Sequence, residues 1–478
     1  MNWETVVGLE VHVQLGTLEK LFCADIVAFG DSPNKNVCPV CLGLPGALPV
    51  LNADAVDLAI KAALGLGCKV HGMSVFARKS YFYPDLPKGY QITQFEKPLA
   101  TDGSMTVLSE SYNRTIRIRR IHLEEDAGKS VHDRFTDGTA VDLNRAGVPL
   151  IEIVTEPDIR TPAEARVFLQ NLKRTLEYMD ISDCNMEEGS LRVDANISIR
   201  TSGSSELGVK TEVKNLNSFS AVEKSIHREI ERQEGIISSG GKIAQETLLW
   251  DEREETVRPM RSKEESHDYR YFPDPDLLPL LIKSDRIESL RNSIPELPHK
   301  RKKRLIEKFD LSEEDVEVLT SSRSLADYFE DLVALVENPR VASNWTRGPL
   351  LKEANRVHRD ISVLGPEPYD VADLINLVEN DTLSGSMGRT VLKRMVDSGR
   401  HALEIVETEG LAQVQDTDEL EVWIDDVLAG NPEEVTRYLE GDTKLLGYFI
   451  GQIMQKSGGR ADPKATSHLI KERLLGQD

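Results

Sequence analysis

Short segments in the N-terminal half of the chain alternate between apolar and polar residues. In VGLEVHVQL, apolar residues occupy every second position from Val7 to Leu15, which places Glu10 and His12 together on the other face. The segments SLRVDANISIR and VKTEVK repeat this pattern. Arg192, Asp194, Glu212 and Lys214 are among their polar positions. The period of two predicts β-strands that each present one apolar face and one face of mixed acids and bases.

Two further segments bring carboxylates into the same part of the chain. IHLEEDAGKS follows the basic segment IRIRR and contains Glu125 between two other acids, and VPLIEIVTEPD places Glu152 inside an apolar run. A buried acid is costly unless it is paired, protonated or bound to a cation. One interpretation is that these polar faces are the hydrated side of an antiparallel sheet. The other is that several carboxylates, a histidine and interleaved cations bind Mg²⁺ and phosphate oxygens.

The composition and the hydrophobic pattern of the sequence change along the chain. Residues 1–295 are rich in Gly, Pro and β-branched residues and predict a sheet with intervening helices. Residues 296–407 have helical spacing, and residues 408–478 contain short helices separated by Gly-Asn-Pro, Gly-Asp and Gly-Gly breakers. We therefore expect an α+β protein with a sheet domain, a helical domain and a small helical tail, which agrees with a length of 478 residues.

A stretch that is rich in aromatic and basic residues spans 77–94. It combines Lys79 and Lys88 with three tyrosines and a Pro-Asp-Leu-Pro turn. Cations beside aromatic rings suit a nucleotide or an RNA end, although an ordinary aromatic-packed turn has the same composition. Gly128-Lys129-Ser130 does not complete a phosphate-binding loop, because that motif requires Gly where the chain has Leu123. Any ATP site is therefore expected on a different scaffold.

Three of the five cysteines lie close together near the N-terminus. Cys38 and Cys41 form a CxxC pair, and Cys23 precedes Cys38 by fifteen residues, near the spacing of a structural zinc knuckle. Asp25 is available as a fourth ligand, because zinc accepts carboxylate oxygen. Three interpretations stay open: a zinc site, a knuckle that has lost its metal, and a redox-active CxxC pair.

Composition and charge narrow the class of protein. Lys and Arg number 58 against 80 Asp and Glu, and the formal net charge of −22 argues against a generic basic surface for nucleic acid. No apolar run approaches the roughly 20 residues of a transmembrane helix. The segment MNWETVVGLEVHV has neither the basic leader nor the apolar core of an export signal. We expect a cytoplasmic protein with reduced cysteines and local contacts to any RNA.

Eight long segments resemble, in their order along the chain, the GatB family of aminoacyl-tRNA amidotransferase subunits. The segments are GLEVHVQLGTLEKLFC, NVCPVCLGLPGALPVLN, KSYFYPDLPKGYQITQ, IHLEEDAGKS, DLNRAGVPLIEIVTEPD, CNMEEGSLRVDANISI, EVKNLNSFSAVEKSI and SHDYRYFPDPDLLPL. GYFIGQIMQKSGGRADPK is similar to the family's tail, so the resemblance covers the whole chain. The archaeal paralogue GatE carries an inserted domain before its helices, which this chain lacks. Members with a zinc knuckle resemble CxC…CxxC, and here Asp25 replaces the second Cys.

The resemblance implies a fold and an activity. The implied fold is a glutamine-synthetase-like cradle over 1–295, a helical domain over 296–407 and a tRNA-binding tail over 408–478. The implied reaction uses ATP to phosphorylate the side-chain carboxylate of Asp-tRNA(Asn) or Glu-tRNA(Gln). Ammonia then displaces the phosphate. The amidase partner GatA supplies the ammonia, and GatC completes a heterotrimer.

The resemblance also implies roles for individual residues. Those expected in catalysis are Glu10, His12, Glu125 and Glu152. Those expected to bind Mg²⁺ are the same four together with Asp194 and Glu212. Those expected to contact ATP phosphates or the tRNA acceptor end are Lys79, Lys88, Arg192 and Lys214. The set expected to hold Zn²⁺, if the knuckle binds metal, is Cys23, Asp25, Cys38 and Cys41.

Two other functions compete with this one. A non-catalytic tRNA-binding module is supported by the basic run HKRKKR at 299–304, which is equally typical of a solvated helix face. A small-molecule amide ligase that uses ATP would share the carboxylate-rich sheet but would not need the two C-terminal helical parts. The carboxylates of the sheet face disfavour the first alternative, and the helical parts disfavour the second.

Overall fold

The alternating segments of the N-terminal half form a large sheet, and the chain beyond it is helical. The computed structural model describes residues 3–109, 112–131, 138–260, 268–413 and 417–475. The chain divides into two units, Met1–Pro298 and His299–Asp478. A large sheet combined with many helices confirms the α+β class. The first two residues of the segment SHDYRYFPDPDLLPL, Ser266 and His267, lie outside the described residues.

The strands and helices are numbered here in chain order. The strands are β1 (Trp3–Gln14), β2 (Lys69–Val70), β3 (Met73–Ser74), β4 (Phe76–Ser80), β5 (Tyr90–Gln94), β6 (Ala100–Ser109), β7 (Tyr112–Glu125), β8 (Lys129–Val131), β9 (Ala140–Asp142), β10 (Pro149–Thr155), β11 (Leu191–Thr201), β12 (Thr211–Leu216), β13 (Thr247–Asp251), β14 (Thr256–Pro259), β15 (Phe272–Pro273) and β16 (Leu280–Leu281). The helices up to residue 292 are α1 (Ala53–Gly65), α2 (Pro162–Tyr178), α3 (Phe219–Ser238) and α4 (Ser284–Asn292). The helices that follow are α5 (Pro298–Phe309), α6 (Glu313–Leu319), α7 (Arg323–Val333), α8 (Pro339–Trp345), α9 (Leu351–Val357), α10 (Pro368–Glu379), α11 (Gly385–Ser398), α12 (Ala402–Glu409), α13 (Thr417–Gly430), α14 (Pro432–Leu439), α15 (Leu445–Lys456) and α16 (Pro463–Leu475). A π-helical turn spans Thr346–Leu350, and a 3₁₀ turn spans Ile361–Val363.

The large sheet brings distant segments of the sequence side by side. Within the described residues its strand order is β14-β13-β12-β11-β1-β10-β7-β6-β2. Neighbouring strands run antiparallel except for the parallel pair β12 and β13. The first strand therefore lies in the middle of the sheet, between β10 and β11. The polar positions of these three strands consequently share one surface.

Helices cover the other face of this sheet. The alternating apolar residues of β1 from Val7 to Val13 are at most 1% exposed. They belong to one core with Ala59 of α1, Phe168 of α2 and Val222 of α3. Burial of each large apolar side chain contributes about 1.5–3 kcal/mol, so this core fixes which face of every strand points inward. The polar face is the one that remains for chemistry.

The second unit is helical, and its buried residues form two clusters within the described part of the chain. One includes Leu305, Phe329 and Val391, and the other includes Ile424 and Phe449. The boundary near 408 between a helical domain and a tail stays a prediction. No helix among the described residues has both the length and the apolar character needed to span a bilayer.

The basic run at 299–304 lies in α5 and is engaged by acids of its own unit. Arg301 is 7% exposed, and its Nε donates to Glu330 Oε1 at 2.6 Å. Arg304 Nη2 contacts the same oxygen at 2.8 Å, and Lys302 Nζ lies 3.0 Å from Glu317 Oε2. These contacts favour a structural ion-pair network over a free basic surface for RNA.

Candidate active site

The candidate active site lies on the polar face of the large sheet, around β1. His12 pairs with Glu152 of β10, and Glu152 pairs in turn with His122 of β7. On its other side, His12 pairs with Arg192 of β11. Directly opposed residues of antiparallel strands point to the same face, so these side chains form a row across the sheet.

Glu124 joins this row from β7, two positions beyond His122. His12 Nε2 lies 3.5 Å from Glu152 Oε2 and 3.9 Å from Glu124 Oε1. His122 Nε2 lies 3.0 Å from Glu152 Oε2 and 3.4 Å from Glu124 Oε2. The hydroxyl of Thr93 also donates to Glu124 Oε2, at 2.8 Å. We call His12, His122, Glu124 and Glu152 the carboxylate–histidine cluster.

Burial and neighbouring charges shift the pKa values of the carboxylate–histidine cluster in opposite directions. Burial raises the pKa of Glu124 and of Glu152, but the adjacent imidazoles outweigh it and hold both pKa values below the usual range. Burial lowers the pKa of His122, but the two carboxylates outweigh it and raise the pKa to about 9. The pKa of His12 is raised for the same reasons. The imidazoles and the carboxylates therefore stabilise each other's charged forms.

His12, Glu124 and Glu152 meet the geometric requirement of a metal site. Each offers a ligand atom, and these atoms all lie within 4.8 Å of one another. In nucleotide-using sites, Mg²⁺ is typically held by one or two carboxylates together with phosphate oxygens and water. The two ionised glutamates supply that number of carboxylates. The residues present therefore fit the expected cation.

Glu125 does not join this cluster. Its carboxylate bonds to Lys88 Nζ and accepts the backbone N–H of Ile92 at 2.9 Å. Leu123 of the same strand is in the core, so the alternation of β7 gives the polar face to Glu124 and turns Glu125 away. The structure thus puts Glu124 where the sequence analysis expected Glu125. Lys88 is occupied by this pair and lies away from the cluster.

The other predicted acids of the sheet face form a second group beside the cluster. Asn196 Nδ2 donates to Glu10 Oε1 at 2.9 Å. Lys214 Nζ lies 2.6 Å from Asp194 Oδ2 and 2.9 Å from Glu212 Oε1. Burial, reinforced by neighbouring carboxylates, raises the pKa of Glu10. Lys214 already pairs with both Asp194 and Glu212, and their assignment as magnesium ligands stays a prediction.

Arg192 connects the sheet face to a large cavity. Its Nη2 donates to Asp126 Oδ2 at 2.6 Å, and Gln14 Nε2 donates to the same oxygen at 2.9 Å. A cavity of about 1280 Å³ opens here, and Arg192, Arg145 and Lys129 are among the residues that line it. Concave sites with a few convergent charged groups are the usual places for small ligands. Three cations on this wall can contact phosphate oxygens, although six carboxylates of described residues, among them Asp142 and Glu188, line the same cavity.

Lys79 lies on β4 next to an aromatic ring. Its Nζ is 5.0 Å from the centroid of the Tyr269 ring. Burial lowers the pKa of Lys79, but attraction by Glu124 and Glu152 outweighs burial and raises the pKa above its ordinary value. This ammonium therefore stays charged and acts on the same carboxylates that form the metal-binding set.

The cysteine cluster consists of Cys23, Asp25, Cys38 and Cys41, whose ligand atoms all lie within 4.8 Å of one another. Cys41 Sγ lies 3.5 Å from Cys23 Sγ, 3.9 Å from Cys38 Sγ and 2.9 Å from Asp25 Oδ2. Tetrahedral zinc with bonds of about 2.3 Å places its sulfur ligands about 3.8 Å apart. The sulfur separations fit that geometry, and none of the cysteines is in a disulfide.

A lysine that sequence reasoning missed lies beside the cysteine cluster. Lys20 is 0% exposed, and its Nζ donates to the carbonyl of Asn36 at 2.7 Å and lies 3.4 Å from Cys41 Sγ. A buried ammonium requires a compensating partner. The anionic ligands of the cluster supply one.

Comparison with known proteins places this sheet face and the helical unit in a described family. Residues 5–288 match the family described as the GatB/GatE catalytic domain, and residues 327–474 match the one described as the GatB domain. The chain belongs to the GatB/GatE family. Relatives from Carboxydothermus hydrogenoformans and Moorella thermoacetica are each 49% identical to it over 99% of this chain and 99% and 100% of their own lengths. A relative from Chlorobium luteolum is 48% identical over the full length of both chains. Each is named as the B subunit of an aspartyl/glutamyl-tRNA(Asn/Gln) amidotransferase.

In this GatB/GatE chain, sequence reasoning missed Glu124 and His122 as members of the site. The signal was present in IHLEED, where Ile121 and Leu123 alternate with these two polar residues. Asn196 was also missed, although it shares the polar face of β11 with Asp194. Strict alternation would have identified all three as facing the site.

Proposed function

We propose that this chain is the B subunit of a glutamine-dependent aminoacyl-tRNA amidotransferase, which uses ATP to activate the side-chain carboxylate of Asp-tRNA(Asn) or Glu-tRNA(Gln). The carboxylate–histidine cluster carries the proposal, because it places a cation-binding set on one sheet face, and Lys79 of β4, a strand of a separate sheet, acts on its carboxylates. Relatives that align with the whole chain and are named as that subunit support it.

The proposed chemistry has two steps. A side-chain oxygen of the aminoacyl group attacks the γ-phosphorus of ATP, ADP leaves, and an acyl phosphate forms. Ammonia then attacks the acyl carbon, and inorganic phosphate leaves with the former carboxylate oxygen. Activation is needed because an oxide is a poor leaving group, and charge must be neutralised as the phosphoryl group moves.

Residues on and next to the polar face can neutralise charge on the phosphoryl group and accept a proton. Mg²⁺ held by His12, Glu124 and Glu152 would neutralise charge on the phosphoryl group. Lys79 presents a persistent positive charge beside them. Glu10, whose pKa is raised by burial, suits the acceptance of the proton that ammonia loses when it adds to the acyl carbon.

The cations of the large cavity extend the proposed nucleotide site. Arg192 pairs with His12 across the sheet and also lines the cavity. A ligand in the cavity that contacts Arg192 therefore lies next to the polar face of the sheet. We assign ATP phosphates to this wall. Lys88 and Lys214, which are already ion-paired, are proposed to meet phosphate or the acceptor end only when those pairs exchange partners.

The finer features of the assembly belong to the same proposal. We propose that the first unit is a glutamine-synthetase-like cradle and that the tail beyond residue 408 contacts tRNA. The cysteine cluster holds a structural Zn²⁺, since Cys41 Sγ lies 3.5 and 3.9 Å from the other two sulfurs and a carboxylate oxygen is within reach as the fourth ligand. Ammonia comes from an amidase partner, GatA, and GatC completes the heterotrimer. The subunit designation of the relatives supports the need for partners.

The test reconstitutes the full chain with candidate A and C subunits and follows ATP-dependent amidation of Asp-tRNA(Asn) and Glu-tRNA(Gln). Glu152→Gln is expected to lower ATP cleavage and amidation by about 100- to 1,000-fold, because it removes charge from the proposed metal-binding set. Glu156→Gln is the matched control, since Glu156 pairs with the exposed Arg119 at 3.0 Å. Loss of an exposed ion pair costs at most about 1 kcal/mol.

Two results of this assay would overturn the proposal. A complex that binds tRNA and never cleaves ATP would establish the tRNA-binding module instead. ATP-dependent amidation of free aspartate or glutamate, without any requirement for tRNA, would establish the small-molecule ligase.

A further inference from the structure

His122 lies on the interior side of the carboxylate–histidine cluster. Its side chain is 4% exposed, against 21% for His12. Its Nε2 is directed at Glu152 and Glu124, and its buried Nδ1 has no hydrogen-bond partner among the described residues. Among the described residues, the imidazole of His122 therefore contacts polar groups only through Nε2.

A donor between the two glutamates offsets their mutual repulsion. Nε2 of His122 lies 3.0 Å from an oxygen of Glu152 and 3.4 Å from an oxygen of Glu124, so a proton on that atom is placed between the two carboxylates. A neutral imidazole carries its proton on one nitrogen, and here the acceptors surround Nε2. The contact thus exists in either charge state of the ring.

His122 and His12 contact Glu124 through different oxygens, but both contact Oε2 of Glu152, at 3.0 and 3.5 Å. His122 contacts Glu124 through Oε2, whereas His12 contacts Glu124 through Oε1. The set whose ligand atoms lie within 4.8 Å of one another consists of His12 and the two glutamates. His122 lies outside that set and contacts both of its glutamates.

We propose that His122 is a positioning residue, whose Nε2–H fixes Glu124 and Glu152 for a divalent cation that His122 itself does not touch. The inference rests on the metal site of the proposed function. Hydrogen-bonding partners of metal ligands contribute about 10- to 100-fold to metal affinity.

The test measures Mn²⁺ binding to the full-length chain by electron paramagnetic resonance, with Mn²⁺ as the probe for the magnesium site. His122→Gln places an amide N–H near the position of Nε2, and His122→Asn places one near Nδ1. Glu152→Gln identifies the signal of this site. The expected result is that His122→Asn weakens Mn²⁺ binding by about 10- to 100-fold, while His122→Gln stays within about threefold of the unaltered chain.

The outcomes separate this inference from the proposed function. If the unaltered chain binds no Mn²⁺ that Glu152→Gln removes, the metal site of the proposed function fails and the inference fails with it. If that site is present and His122→Asn binds as tightly as the unaltered chain, only the inference is overturned. If His122→Gln loses as much affinity for Mn²⁺ as His122→Asn does, the ring is required for packing and not as an Nε2 donor. If His122→Asn does not fold, a loss of more than about tenfold in His122→Gln leads to the same conclusion.

Discussion

The carboxylate–histidine cluster and the cysteine cluster are both potential metal centres of the first unit, but they are built in different ways. The former draws His12, Glu124 and Glu152 from three strands of a buried sheet, whereas the latter lies within residues 23–41. The sheet cluster offers oxygen and nitrogen, which suit a hard cation, and the cysteine cluster offers mainly sulfur, which suits zinc.

The two clusters also differ in how far their ligands are ionised when no metal ion is bound. The glutamates of the sheet cluster are held ionised by histidines. The thiols instead share protons among themselves: a hydrogen bond with Cys41 raises the pKa of Cys23, and the same hydrogen bond lowers the pKa of Cys41 to about 6. The sheet cluster is thus arranged in advance by its own side chains, while the cysteine cluster needs metal to ionise all its thiols.

The largest expected effect separates the two centres by removing one sulfur. Cys41→Ser should abolish retention of one Zn²⁺ per chain, measured by elemental analysis after dialysis, because Cys41 contacts both other thiols and Asp25. Mn²⁺ binding at the sheet should not change. Cys68→Ser is the control, since Cys68 is buried outside the cluster. Zinc retention by Cys41→Ser would contradict the ligand set.

The next effect distinguishes adjacent glutamates of one strand. Glu124→Gln should weaken Mn²⁺ binding by at least about tenfold, because it removes charge from the metal-binding set. Glu125→Gln should change that affinity by less than about threefold, because Glu125 faces Lys88 and Ile92. Titration of both variants under identical conditions is the measurement. A larger loss for Glu125→Gln would restore the assignment made from the family resemblance.

A smaller effect concerns the pH dependence of stability. The pKa of His122 is about 9 in the folded chain, above the ordinary value of 6.5, so its stabilising interaction is complete below pH 6.5 and is lost as pH rises through 9. The loss is at most about 3 kcal/mol. The difference in unfolding free energy between the unaltered chain and His122→Gln should therefore shrink between pH 6.5 and 9. Urea unfolding across this range tests it, and a constant difference would contradict it.

The smallest effect tests how soft the cysteine cluster is. Asp25→Cys replaces the oxygen ligand with a fourth sulfur, so the preference for Cd²⁺ over Zn²⁺ should rise by a few-fold to about tenfold. Competition between the two ions, measured on the same chain, gives the ratio directly. An unchanged ratio would show that Asp25 is not a ligand.

The two clusters also show how far sequence reasoning reaches. Alternation located β1 and β11, because the period of two along a strand does not depend on which strands are its neighbours, and the acid in β10 was identified as a carboxylate within an apolar run. The choice of Glu125 over Glu124 followed the family resemblance, although Leu123 marks the parity of the strand. The contacts of Lys20 with Asn36 and Cys41, and of Lys88 with Glu125, were not accessible from sequence, because they depend on how the chain folds back over 16 to 37 residues.

Phosphoryl transfer from ATP to an aminoacyl side chain is the central activity proposed for the sheet face. The most direct test supplies the reconstituted complex with Asp-tRNA(Asn) whose side-chain carboxylate carries a heavy oxygen isotope, together with ATP and ammonium. With both carboxylate oxygens labelled, we predict that the inorganic phosphate released contains one labelled oxygen per amide formed, and that Glu152→Gln releases it about 100- to 1,000-fold more slowly. Amide formation accompanied by unlabelled phosphate would contradict this activity, because the carboxylate would then not have been activated by phosphorylation.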